Sequence, residues 1–314
     1  MSFLSNNFIS DFFVLTLKWV FSFVRDYSGA ILLLTVMLRL VILPLDLRQK
    51  SSARKMQMVQ PKLQSLQKRY ANNPQQLQKK QQELYKAEGV KPLAGCLPML
   101  ITMPIFFAFF GAMRVLESEQ TISFILNAQH FGQSAYALPQ WLWVHNFWQP
   151  DSGLAPVMKT ASEFASFFST NINVTPQQLH MMSTSGLLNF SLTDGLQAGS
   201  AYTTLINNII NTNGLSGVNN GWFILPILAG GSLFLQQKLT MGQTPGGAQA
   251  QPGGNFMLWF FPLFSVYICA TANTAFSVYW LAANIYALAQ TLVVNYIYKK
   301  QDEKRKQGVI EEAT

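Results

Sequence analysis

Charge is what this 314-residue sequence has least of: only 11% of residues are Asp, Glu, Lys or Arg. A soluble domain carries about a quarter. Cysteine is almost missing too, with Cys96 and Cys269 alone, each inside an apolar stretch. Two cysteines cannot make a disulfide scaffold, and they show no metal spacing. Histidine is limited to His130, His145 and His180, scattered through one polar region. No H-x-x-x-H pair, Walker loop or G-x-S-x-G elbow occurs, so the sequence offers no metal, nucleotide or hydrolase constellation. No cofactor is expected and no catalytic residue is assigned.

Apolar runs are abundant: 49% of residues are hydrophobic and 13% aromatic. The few charges are clumped, which leaves long uncharged stretches. The pattern predicts an all-α integral membrane protein with five transmembrane helices, preceded by an amphipathic interfacial helix and carrying a cytosolic helical hairpin. Residues 1–27 hold the interfacial helix, interrupted by Lys18 and too short to span. The expected spans are 28–46, 96–116, 221–239, 256–272 and 274–298, each near the roughly twenty residues that cross a bilayer core. All but the last carry proline: Pro44, Pro98 with Pro104, Pro226 and Pro262. Proline bends a helix and frees a carbonyl, which membrane bundles absorb with neighbours or water.

Basic residues set the orientation. Residues 47–91 contain eleven Lys and Arg against two Glu, and 299–306 contain five more. Residues 117–220 contain one, Lys159, against five acids. The expected topology therefore places 47–91, the flexible Gly/Pro-rich 240–255 loop and the 299–314 tail in the cytosol. The N-terminus and an extracytoplasmic insertion, 117–220, lie outside. In 47–91, Met56, Val59, Leu63, Leu66 and Tyr70 recur at helical spacing. Asn72-Asn73-Pro74 breaks the chain, and Gly89 ends a second helix. Lys62, Lys68, Arg69, Lys79, Lys80 and Lys86 would sit off the apolar stripe. They read either as a solvated face that enforces topology or as a docking surface for anionic lipid, ribosome or nascent chain.

Arg39 stands inside the first apolar run, between Ser28 and Leu45. A guanidinium stays charged at that depth, at a cost of roughly 2.5–3.5 kcal/mol on insertion scales. It could snorkel along its own stem to the nearer headgroups. The alternative is a polar recess built within the membrane around one cation.

The ordered motifs resemble those of the YidC-type membrane protein insertases. They are Thr35-Val-Met-Leu-Arg39 running into Pro44-Leu45, Met56-Gln-Met-Val-Gln-Pro61-Lys62 and Leu84-Tyr85-Lys86-Ala87-Glu88. Pro92-Leu-Ala-Gly-Cys96-Leu-Pro98, Met103-Pro104-Ile-Phe106, Tyr279-Trp280 and Asn284 follow. The resemblance covers residues 12–116 and 221–300. It implies a five-span core with a hydrophilic groove open to cytosol and lipid, lined by Arg39, Thr35, Gln237, Trp280 and Asn284. It also implies an apolar slide for the substrate helix on the second and fourth spans, with Cys96, Pro98, Met103, Pro104 and Phe106 as candidates. The implied partners are nascent membrane proteins and the lipid bilayer of a bacterial cell membrane, with the ribosome and the Sec translocon as candidate additions.

Three departures stand out. Thr102 replaces a family glutamine. No counterpart of the Gram-negative first span and large outer domain precedes residue 28. The tail ends in Glu311-Glu312, which argues against tight ribosome tethering. Two other classes fit less of the sequence: a small-anion transporter or channel, which would favour repeated half-structures, and a membrane-anchored ribosome or RNA binder, which leaves Arg39 without a role.

Overall fold

The computed structural model describes residues 8–90, 97–170, 174–191, 195–241 and 254–313. Ten helices are described: α1 (Phe8–Val24), α2 (Tyr27–Arg69), α3 (Pro74–Ala87), α4 (Leu97–Phe131), α5 (Ala161–Thr170), α6 (Pro176–Thr184), α7 (Ser200–Thr212), α8 (Ile224–Met241), α9 (Gly254–Thr271) and α10 (Thr274–Ala313). The chain departs from all-α in one antiparallel hairpin, β1 (Leu188–Ser191) with β2 (Gly195–Ala198), paired from Leu188↔Ala198 to Ser191↔Gly195. Among the described residues, Tyr27–Arg69 and Thr274–Lys304 are long and apolar enough to cross a membrane, and Leu258–Thr271 is a shorter apolar helix.

Two compact units divide the chain. The first comprises Met1–Leu34, Ile101–Leu228 and Val266–Trp280. In it α1 runs alongside α4. The Ser10 hydroxyl donates to the Ala108 carbonyl at 3.0 Å, Phe13 meets Phe109 edge-on at 5.5 Å, and Lys18 pairs with Glu119 at 2.6 Å. Leu17, Phe109, Ala112, Met113 and Leu116 are fully buried there. On the other face of α1, Phe8, Phe12, Leu15, Trp19 and Phe23 are exposed. An apolar helix face left uncovered on this scale suits lipid better than water.

The α4 helix continues without a break to Phe131, past the expected end of the second span. Its last turns supply Ile122, Ile125 and Ala128 to a second core, closed by Tyr136, Phe164, Met182, Leu187, Tyr202, Ile209 and Leu215. This core makes residues 117–220 a folded layer. Tyr202 stacks on Phe164 at 3.9 Å, and its hydroxyl donates to the Lys159 carbonyl at 2.7 Å. Gly199 lies against the Gly186 carbonyl so closely that no side chain fits between them, which lets the Gly199 amide reach the Leu187 carbonyl at 2.9 Å.

The second unit comprises Thr35–Leu100, Ala229–Ser265 and Leu281–Thr314. Here α2 continues through Pro44 and Pro61 as one 43-residue helix. It ends at a four-residue turn, where the Asn73 side chain caps α3 by accepting from the Gln76 amide and Pro74 occupies the first turn. Pro at the first turn sacrifices only an amide that has no intrahelical partner. Gly89, at φ +62°, takes the left-handed position after α3, and Lys62 pairs with Glu88 at 2.5 Å, which ties the end of α3 back to α2.

Candidate functional site

Helical geometry explains how α2 gathers its polar groups. Thr35, Arg39, Asp46 and Lys50 are spaced by four, seven and four residues, and at 3.6 residues per turn they fall within about 60° of arc. The flanking positions are apolar and exposed: Leu32, Leu33, Val36, Met37, Leu40 and Val41. Thr35 is buried and Arg39 half-buried. The stripe is therefore withdrawn into the protein while the rest of the helix surface is greasy.

In the second unit a matching stripe on α10 meets it. Lys50 Nζ donates to Thr291 Oγ1 at 2.7 Å, and Thr291 Oγ1 donates onward to the Ala287 carbonyl at 2.7 Å. The Gln290 side chain faces the Asp46 carboxylate from α10. One helical step further along, Arg54 donates to both oxygens of Asp302 at 2.6 Å and lies 4.1 Å from the centre of the Tyr298 ring. The residue numbers rise together on both helices, so this part of α2 and α10 runs parallel.

Arg39 occupies the apolar end of this ladder. Its charge acts on both Asp46 and Lys50, yet among the described residues it forms no ion pair at contact distance. Two neighbours by unit share its polar character. Asn284 is buried and donates to the Ala229 carbonyl at 3.4 Å. Gln237 holds its Oε1 buried without a hydrogen bond. An unmade hydrogen bond on a buried amide costs about 1–3 kcal/mol. The Gln237 Oε1 atom therefore marks a place where a polar ligand or water is wanted.

Of the expected slide residues, Met103, Pro104 and Phe106 lie in the other unit. Phe106 contacts Trp280 edge-on at 5.0 Å and Phe276 at 5.7 Å, and Trp280 stacks on Phe276 at 6.0 Å. Beside them Phe109 stacks on Tyr279 at 3.7 Å. Met103 and Pro104 are exposed. Pro98 belongs to α4, but its side chain and all of Cys96 lie outside the described residues. Thr35, Arg39, Gln237 and Asn284 thus share one unit, whereas Trp280 joins Phe106 in the other. The six basic residues Lys62, Lys68, Arg69, Lys79, Lys80 and Lys86 are all exposed, with Lys62 paired to Glu88 and Lys80 to Glu83.

Sequence reasoning counted Lys50 and Arg54 only as topology signals and missed Asp46, Gln290 and Thr291. The signal was present in the i, i+7, i+11 spacing from Arg39, which places all three charges of the stripe on one face of a single helix.

Comparison with known proteins adds an independent line. The profile of the 60Kd inner membrane protein family matches residues 19–214 and 200–302. The membrane protein insertase MisCA of Bacillus subtilis (strain 168) is 28% identical over 288 residues, covering 90% of this chain and 76% of that protein. The membrane protein insertase YidC of Clostridium perfringens (strain 13 / Type A) is 37% identical over 148 residues, 47% of this chain and 55% of that one. The YidC of Treponema denticola is 27% identical over 280 residues, 89% of this chain but 36% of its own length. The aligned part therefore spans about half of the Clostridium relative and about a third of the Treponema one.

Proposed function

On the premise that this chain belongs to the 60Kd inner membrane protein family, that of the YidC-type insertases, we propose that it inserts newly made proteins into a bacterial cell membrane. Five helices span the bilayer in this reading: α2 up to Asp46, the first part of α4, α8, α9 and α10. The α1 helix seats its exposed Phe8, Phe12, Leu15, Trp19 and Phe23 in lipid. The α2 extension and α3 form the cytosolic hairpin, and residues 117–220 face outward, following the basic-residue asymmetry.

One observation carries the reading: Arg39 is withdrawn from the greasy surface of α2 onto a polar stripe and, among the described residues, has no carboxylate at contact distance. The extracytoplasmic tail of a substrate is polar, and hydrocarbon rejects it. A recess lined by Thr35, Arg39, Gln237 and Asn284 removes much of that penalty by keeping part of the path wet. In such surroundings a cation attracts an acidic tail more strongly than in water, with about 4 kcal/mol at 4 Å for an effective dielectric near 20 against about 1 kcal/mol in water. Membrane potential adds about 2.3 kcal/mol per charge per 100 mV. The hydrophobic segment then leaves for lipid past Met103, Pro104 and Phe106. Burial of its apolar surface drives the step at about 25 cal/mol per Å². The exposed lysines of α3 and the end of α2 suit docking of a ribosome or nascent chain.

Site-specific photocrosslinking from position 103 or 106 to a ribosome-stalled nascent membrane protein tests the reading. Adducts that depend on a hydrophobic segment in the stalled chain are expected. Adducts formed equally with a soluble nascent chain would contradict it.

A further inference from the structure

Residues 139–156 form a collar bound tightly to residues 219–225, the entrance to α8. Asp151 is its centre. Fully buried, it accepts hydrogen bonds from the Trp222 amide at 2.9 Å, the Leu225 amide at 2.7 Å and Trp143 Nε1 at 3.1 Å. Asn220 adds donors to the Asn146 and Pro150 carbonyls at 2.9 and 3.0 Å, and its own Oδ1 accepts from the Asn146 amide at 2.7 Å. The Gln149 carbonyl accepts from both the amide and hydroxyl of Thr274, at 3.0 and 2.7 Å. The collar is therefore fixed at the level of the first turns of α8 and α10.

Three apolar side chains stand out from this rigid frame. Leu142 is 74% exposed, Leu154 84% and Trp222 68%. Leu142 occupies the first position of a two-residue turn closed by Trp141 and Val144, which exchange amide–carbonyl bonds at 2.9 and 2.8 Å. Its φ is +50°, a left-handed conformation that costs a non-glycine residue about 1–2 kcal/mol. A glycine or asparagine would suit the turn better. Strain of that kind persists where the side chain is needed. Leu154 follows Gly153, which packs against the Phe223 ring.

We propose that Leu142, Leu154 and Trp222 form a lipid-binding crest that enters the boundary between headgroups and acyl chains of the outer leaflet. Chemistry selects this occupant. The collar segments 139–156 and 219–225 contain no Lys, Arg or Glu, and their one Asp is Asp151, already buried. The crest continues directly into the exposed apolar face of α8 at Ile227 and Leu228. Tryptophan favours the interfacial layer, where one edge of the ring is wet and the body is not. The crest would set the depth of α8 and hold the folded outer layer down on the bilayer. The inference rests on α8 being a membrane helix, as proposed above.

Spin labels placed singly at Leu142→Cys, Leu154→Cys, Ile227→Cys and Phe190→Cys, in a Cys96→Ser, Cys269→Ala background of the full chain in liposomes, test it. Collision with oxygen reports lipid and collision with a water-soluble nickel chelate reports solvent. Labels at 142, 154 and 227 are expected to favour oxygen several-fold over a label at Phe190, exposed on the outer hairpin. Solvent-like labels at 142 and 154 with a lipid-like one at 227 overturn the crest and leave the span intact. A solvent-like label at 227 overturns the span reading itself. Native fluorescence supplies a second readout that needs no cysteine. Trp222→Phe in the unaltered chain is expected to remove emission quenched by shallow doxyl-labelled lipid, and unchanged quenching contradicts the proposal.

Discussion

Lys50 and Thr291 are joined by a 2.7 Å hydrogen bond that links the polar stripe of α2 to that of α10. The bond matters because it lies one turn of helix beyond Asp46 and three turns beyond Arg39. The polar stripe that carries Arg39 is thus tied at its Lys50 end to α10.

Removing that tie is expected to loosen the second unit. Thr291→Val leaves a half-buried ammonium without its acceptor and should cost about 1.5 kcal/mol. Thermal unfolding of the detergent-solubilised protein measures it. Thr291→Ser, which keeps the hydroxyl, should restore most of the loss.

Asp151→Ala should be more damaging. It leaves the Trp222 and Leu225 amides and the Trp143 indole without their common acceptor, at about 2–4 kcal/mol in total. Limited proteolysis of the reconstituted protein is expected to cut within 139–156 in the variant before any cut elsewhere. Resistance equal to the wild type would show that the collar is held by other contacts.

The Lys159–Glu117 pair, 2.8 Å apart with side chains only 15% and 13% exposed, joins the outer layer to α4. Glu117→Ala removes the ion-pair partner seen for Lys159 and an acceptor from Asn273 Nδ2, so a loss of about 3 kcal/mol is expected. The Lys159→Met, Glu117→Leu double variant should recover much of it, because an apolar pair needs no desolvation. Chemical denaturation of the four species in a double-mutant cycle reads the coupling.

Tyr202 gives a pH test of the outer core. Burial raises its hydroxyl far above the ordinary tyrosine range, and the nearby Glu163 charge adds to the rise. Its stabilising effect is full below the unfolded value near 10 and is lost as pH climbs beyond that. Difference absorbance of phenolate on moderate alkalinisation is expected to be equal for the folded wild type and folded Tyr202→Phe, and to differ by one tyrosine once both are denatured. Normal ionisation of Tyr202 in the folded protein would mean that its layer is open to solvent.

Much of the helical plan was legible because its signals are local. Asn73-Pro74 and Gly89 carry their turn chemistry with them, and the apolar runs announce α2 and α10. The helix ends were less legible: Pro44 sits inside α2 without ending it, and residues 112–125 hold no proline or glycine, so α2 and α4 run on past the membrane-length segments. The outer layer was illegible for a different reason. Its core joins Ile122, Phe164, Met182 and Tyr202, which are far apart in sequence, and its short elements are held by that packing rather than by strong periodicity. At the site, Arg39 was read from its place in an apolar run and Thr35 from the family resemblance. Asp46, Gln290 and Thr291 were not, because a polar residue at a span's edge looks like a boundary until a partner helix faces it.

The direct measurement of the central claim is insertion by Arg39 variants, at matched abundance in membranes, of substrates whose extracytoplasmic tails are acidic or neutral. The account predicts that Arg39→Ala loses most insertion of acidic-tailed substrates. Arg39→Lys should retain part, since it keeps the charge without the planar fork. Normal insertion of every substrate by Arg39→Ala would contradict it.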